Sequence, residues 1–255
     1  MGWRELQSNE VLVLPGDAES RRFGFRVLNA QCGARSQGKE DTLSSALSSQ
    51  NYDLVVVRYS VLLTGIDDLL AKLDKQIIYT DSTVYWGISI RHNLSHKTPL
   101  NVKVQRVDGN FIDVIERVVN SSFSGYHSHW HDNVRTRGIR MEDAYNEWVR
   151  NKITSEESRC YLMYVDDEPA GFALTDTRDQ VGEILLAGIS REFQSKGLYQ
   201  HLLAHIETEM HQYKVEELVI STQSQNSNVQ KAWERYGLVP LLTVRTVHVE
   251  NRKSY

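Results

Sequence analysis

The stretch from Gly182 to Thr222 constrains the fold most, because its hydrophobic period changes twice. Gly182 to Ile189 is an apolar run of strand length, and Ser190 to Lys196 is polar. Leu198, Leu202, Leu203, Ile206 and Met210 then recur on one helical face, and Leu218 to Thr222 is strand-like again. Where an apolar strand, a polar connection and a helix follow one another, the backbone N–H groups at the helix start point outward unsatisfied, and such an end can hold phosphate. Gly197 would let the backbone approach a ligand, and Lys196 adds positive charge beside it. A glycine at such a turn is more often structural than functional, so the turn alone does not decide.

The rest of the chain supplies a context of alternating elements. Val11 to Leu14, Phe23 to Cys32 and Leu54 to Tyr59 read as strands, Asp41 to Ser49 as a polar helix, and Gln76 to Ile90 as strand-rich. A helix from Gly65 to Leu73 would be capped by Thr64. The polar composition of Arg91 to Leu100 reads as an interdomain linker. A smaller α/β domain over residues 1–100, of uncertain role, and a second domain over 101–255 are therefore expected, within what 255 residues can bury. In the second half come a strand at Val102 to Val107 and a helix burying Phe111, Val114, Ile115, Val118 and Val119. A second helix spans about Met141 to Ile153. An antiparallel hairpin from Tyr161 to Thr175 turns at Asp166 to Pro169. After the Gly182 to Thr222 stretch come a helix near Asn228 to Tyr236 and a strand near Leu241 to Val249. No internal repeat of solenoid period is visible in the residues.

Lys plus Arg number 29 against 33 Asp plus Glu, a net charge of -4, with no basic block. Nucleic acid and anionic membrane are poor partners for such a surface. Cys32 and Cys160 both fall in strand-like runs, which fits a reducing, cytoplasmic setting. Neither a signal peptide nor a membrane span is expected from the residues present.

Two motifs carry a resemblance. Gln194, Gly197 and Tyr199 occupy the three marked positions of the Gln/Arg-x-x-Gly-x-Gly/Ala loop that follows the fourth strand in the GNAT superfamily of acyl-CoA N-acyltransferases. Asn226 to Leu238, with Glu234, Arg235 and Gly237 in register, is similar to that superfamily's Asn-bearing helix motif. The likeness covers about residues 101–250. It implies a mixed, largely antiparallel sheet flanked by helices, and acetyl-CoA held at Ala187, Gly188, Ile189, Gln194, Ser195, Lys196, Gly197, Leu198, Tyr199, Asn226 and Trp233. A backbone N–H near Ile189 would meet the thioester carbonyl. Tyr199 departs from the small residue of the pattern, so the helix start should turn its ring outward. The run from Ser221 to Asn226, the stretch around Tyr126, the Tyr145 and Trp148 pair and the prefix with Phe23 and Gly24 look like the dTDP-fucosamine acetyltransferase family. An amino-sugar nucleotide would then be the acceptor.

Direct attack needs a neutral amine, a polarised carbonyl and a stable leaving thiolate. Glu183 lies six residues before Ile189, on one face by period-two alternation. It is a candidate base if buried and a solvated strand end if not. A Glu at this offset is the base in the histone-acetyltransferase branch. The superfamily's acid is the Tyr before the motif Glu, where this chain has Trp233; an indole cannot serve, and Tyr236 is the candidate replacement beside unaided thiolate departure. Tyr126, His127, His129 and Trp130 are candidate acceptor contacts, in a segment where His127, His129 and His131 alternate. A metal triad and a solvated loop are the other readings there, and no metal is expected. His201, His205 and His211 should face solvent. The expectation is an N-acetyltransferase for a small primary amine, with a homodimer as the assembly. The competing readings are a same-fold enzyme for protein, polyamine or drug amines and a non-catalytic CoA-binding module.

Overall fold

The computed structural model describes residues 2–48, 51–90 and 97–251. Residues 91–96 of the expected linker, and Ser49 at the end of the expected polar helix, lie outside the described residues. The first part runs α1 (Trp3–Leu6), β1 (Val11–Pro15), α2 (Asp17–Phe23), β2 (Val27–Cys32), α3 (Glu40–Ser48), β3 (Leu54–Ser60), α4 (Thr64–Lys72) and β4 (Gln76–Ser89). Next come β5 (Val102–Val107), α5 (Ile112–Ser122), α6 (Met141–Ile153), β6 (Ser158–Val165) and β7 (Glu168–Arg178). The chain continues through β8 (Val181–Ile189), α7 (Tyr199–Gln212), β9 (Glu217–Gln223), α8 (Ser227–Tyr236) and β10 (Val239–Glu250).

All these strands form one sheet in the order β1-β2-β3-β10-β4-β9-β8-β7-β6-β5. Only β2 with β3 and β8 with β9 are parallel. The expected mixed, largely antiparallel sheet with flanking helices is the observed one. Its centre is an exchange: β4 lies between β9 and β10, while β10 lies between β3 and β4. The order strand, helix, parallel strand, helix, antiparallel strand therefore occurs twice, from β2 to β4 and from β8 to β10. Each time the last strand pairs with the other half.

Alternation along β7, broken by a bulge at Ala170, separates two cores. Ala170 and Ala173 join the Leu202, Leu203, Ile206, Met210 and Trp233 face of α7 and α8, while Phe172 and Leu174 meet α5 and α6 on the opposite side. In α5 the spacing of Ile115, Val118 and Val119 puts all three under the sheet, each within 2% of full burial. Each such side chain contributes about 1.5–3 kcal/mol. Residues 123–140 then cross to the strands of the first half, where Trp130 packs with Val27, Leu54, Val56 and Met141.

Three local readings are corrected. Phe23 ends a helix rather than opening a strand: Asp17 and Glu19 sit in its first turn, Arg21 and Arg22 in its last, and Gly24 closes it at φ 71°. Leu63, not Thr64, occupies the cap position of α4, and no side chain caps it. Phe111 is exposed ahead of α5 rather than buried in its stripe.

Candidate functional site

The parallel pair β8 and β9 opens into a wedge. Val181 to Ile184 pair with Glu217 to Ile220, and beyond Ile184 the two strands have no register in common. Ala187, Gly188 and Ile189 pair only with β7, so their edge toward β9 is open. The corresponding pair β2 and β3 stays joined from Val27 to Cys32 and shows no such opening. A bulge at Leu185 accompanies the parting, because Leu174 faces Leu186 while Thr175 faces Ile184. This extra residue overturns the period-two count: Glu183 sits on the Val219 side of the sheet, against Trp3, whereas Ile189 belongs to the core under α7. Gly188 is where α5 comes closest, since a Cβ there would lie 2.7 Å from Cβ of Ser122.

Beyond the wedge a single turn over Arg191–Phe193 leads into residues 194–197, all exposed. Ser195 and Gly197 adopt φ 61° and 73°, which turns the backbone sharply before α7. The Gln194 amide donates to the Ile189 carbonyl at 2.9 Å and ties the loop to the strand end. The backbone N–H groups of residues 195–200 donate to no acceptor among the described residues, which leaves a fan of donors of the kind that can bind phosphate. The matching turn of the first half is closed differently, as Gly38 N–H donates to the Glu40 carboxylate at 3.1 Å. The Tyr199 ring, expected to turn outward, packs on the α7 core because residues 199, 202, 203 and 206 share one helical face. Burial pushes its phenol up to about 12. The Trp233 indole N–H lies beside that phenol without hydrogen-bond geometry; it is buried and unpartnered. Trp233 itself fills the core, edge-on to Trp86 at 6.2 Å.

Face by face, the expected acceptor residues divide. The Tyr126 hydroxyl lies beside Thr222 on β9, and the Asn226 amide donates to the Thr222 hydroxyl oxygen at 3.0 Å, so Tyr126 and Asn226 meet at one side chain. Tyr126, His127 and His131 also border an open depression of about 360 Å³ with Arg140 and Met141. His127 pairs with Asp132 at 2.8 Å. His129 and Trp130 turn inward instead. His129 contacts Arg58 at 2.9 Å and His248 at 2.8 Å, and His248 in turn meets Asn133, which donates to Glu250. Burial first, then the Arg58 charge, holds His129 well below its usual range and His248 down to about 3, so both rings are neutral. The histidines are thus not an extended row, and among the described residues no group of three or more His, Cys, Asp or Glu is arranged to hold a metal ion.

The Glu183 carboxylate accepts the Trp3 N–H at 2.9 Å, and burial pushes its carboxyl up to about 7. Its charge reaches Tyr85, whose hydroxyl bonds Ser221. The Tyr236 hydroxyl donates to Glu207 of α7 at 2.7 Å. His201, expected in solvent, is buried, and His205 lies 5.7 Å from the Tyr161 ring. The residues missed in the sequence are Ser221 and Thr222, within a run already singled out but given no role, and Tyr85, a strand position without a local mark.

An open wedge between parallel strands, followed by a donor-rich turn into a helix, is an arrangement that can take an extended phosphate-bearing ligand. Residues 123–238 match the sequence profile of the acetyltransferase (GNAT) family. Solved structures share the architecture. A GCN5-related N-acetyltransferase from Sphaerobacter thermophilus superposes with TM-score 0.62 at 14% identity, covering 96% of this chain and 77% of that one. A tandem GNAT protein of the clavulanic acid biosynthesis pathway gives 0.56 at 12%, covering 91% and 79%. A GNAT-family acetyltransferase from Colwellia psychrerythraea gives 0.54 at 13%, covering 89% and 78%. No curated protein matches the chain in sequence.

Proposed function

We propose that the chain transfers an acetyl group from acetyl-CoA to the primary amine of a small acceptor, with an amino-sugar nucleotide as the acceptor favoured by the sequence. The observation that carries this reading is the wedge beyond Ile184 and Ile220 leading to the unpaired N–H groups of residues 195–200. The pyrophosphate would take those N–H groups. The pantetheine arm would run along the open edge of Ala187 to Ile189, where a backbone N–H meets the thioester carbonyl. The amine nitrogen attacks that carbonyl, the carbon–sulfur bond breaks, and CoA leaves as thiolate. Glu183 is the proposed base, because a carboxyl near 7 is matched to taking an ammonium proton at neutral pH through Tyr85, Ser221 or water. Tyr236 is bound to Glu207, which supports departure of the thiolate unaided. The acceptor would lie on the Tyr126 and His127 side, where an aromatic ring borders the depression.

Calorimetry with acetyl-CoA, together with thiol release in the presence of primary amines, tests the reading. In Gly197→Val a β-branched side chain must adopt φ near 73° at the phosphate turn. Acetyl-CoA should bind that folded variant at least about tenfold more weakly, the worth of one good hydrogen bond or more. Unchanged affinity would remove the turn from the cofactor site.

A further inference from the structure

Strand β4 brings one acidic side chain of the first half to the wedge of the second. Opposite Thr246 of β10, β4 carries an extra residue: Arg245 faces Ser82 and Val247 faces Tyr79, so Thr80 and Asp81 share one partner position. Thr80 fills the break by donating to the Thr246 carbonyl at 2.9 Å. Bulges of this kind re-aim a side chain, and here Asp81 reaches the end of β9, where Oδ2 accepts from the Gln223 amide at 2.5 Å. Its other oxygen, Oδ1, is buried and has no hydrogen-bond partner. No Lys, Arg or His among the described residues pairs with this carboxylate. Its charge acts on the hydroxyls of Tyr126 and Tyr145. Tyr126 is thus common to three features: Asp81, the Thr222 and Asn226 pair, and the open depression.

A buried carboxylate oxygen left unpaired is costly and calls for a partner. We propose that Asp81 is the recognition carboxylate for the acceptor's ammonium group, with Gln223 fixing Oδ2 and the Tyr126 and Tyr145 rings flanking the bound cation. The proposal rests on the acetyltransferase reading for its location, and it assigns to the first half of the chain a direct part in choosing the substrate. It specifies the acceptor class: a primary alkylammonium, taken in its charged form and held beside the wedge until its proton leaves. A neutral hydroxyl can give Oδ1 only the weaker hydrogen bond of an uncharged donor, and an anionic acceptor is repelled.

The test is binding of a panel of primary alkylamines, each against the alcohol of the same skeleton, followed by tryptophan fluorescence with and without CoA. A charge-assisted hydrogen bond separates the members of a pair by about 10- to 100-fold. That gap is expected in the wild type and should vanish in Asp81→Asn, which keeps an oxygen for Gln223, while acetyl-CoA affinity stays at the wild-type value. Amine and alcohol binding alike in the wild type, or a gap that survives Asp81→Asn, would overturn the proposal. Failure of the wild type to bind acetyl-CoA would count against the acetyltransferase reading instead, and the amine-to-alcohol gap is still read without the cofactor.

Discussion

Replacing Glu183 by Gln separates two consequences of one buried carboxyl. Burial raises it from 4.5 to about 7, against the smaller opposing effect of the Trp3 N–H. Between those values the native chain holds a proton that the unfolded chain has released, so stability is full below about 4.5 and falls as pH rises through 7. At about 1.4 kcal/mol for each pH unit, the loss by pH 8 is at most about 3 kcal/mol. Partial solvent contact brings this down to about 1–2 kcal/mol. Gln keeps an oxygen for the Trp3 N–H but cannot ionise. Glu183→Gln should therefore melt about 3–6 °C above the wild type at pH 8 and together with it at pH 4, by the scaling for a chain of this size. As the proposed base, the same residue should cost about 100- to 10,000-fold in the rate of thiol release, with loss of the acidic limb of the pH profile. Thermal unfolding at the two pH values and initial rates measure both. An equal melting difference at pH 4 and pH 8 would refute the linkage, and a near-normal rate with unchanged pH dependence would refute the base.

Truncation to a chain beginning at Asn101 removes β4 from between β9 and β10, so the shortened protein should be insoluble or unfolded by circular dichroism. A soluble, folded truncation would show that residues 101–255 need no strand from the first half. Tyr236→Phe removes the hydrogen bond to buried Glu207 and should lower stability by about 1–2 kcal/mol in urea titrations, with the basic limb of the rate profile intact. Loss of that limb would return an acid to the mechanism.

Local pattern made much of the second half legible. The spacing of Tyr145, Trp148 and Val149 marks a helix over Met141–Ile153, and the turn at Asp166 and Asp167, both at positive φ, separates β6 from β7. Non-local facts were not legible. Nothing local in Gln76 to Ile90 says that this strand crosses to the other half, because pairing partners leave no mark in a strand's own alternation. The bulge at Leu185 defeated a count that assumes unbroken pleating, and so misjudged the faces of Glu183 and Ile189. Phe23 misled because an aromatic favours strands in general, while the flanking charges and Gly24 closed a helix around it. The polar run Thr80, Asp81, Ser82 inside an otherwise strand-rich stretch was the available signal for the second bulge.

The exchange of β4 and β10 also sets a problem of timing. Leu54 finds its antiparallel neighbour in Glu250, so β3 can have only one of its two edges filled until nearly the whole described chain has been made. Val55, Val56 and Val57 lie along that edge, fully buried once β10 arrives. Closing so long a loop is entropically slow, and an apolar strand waiting with an open edge recruits other chains. Refolding at rising protein concentration should therefore divert into aggregates before β10 docks, and added β10 peptide, by filling the waiting edge, should suppress that diversion.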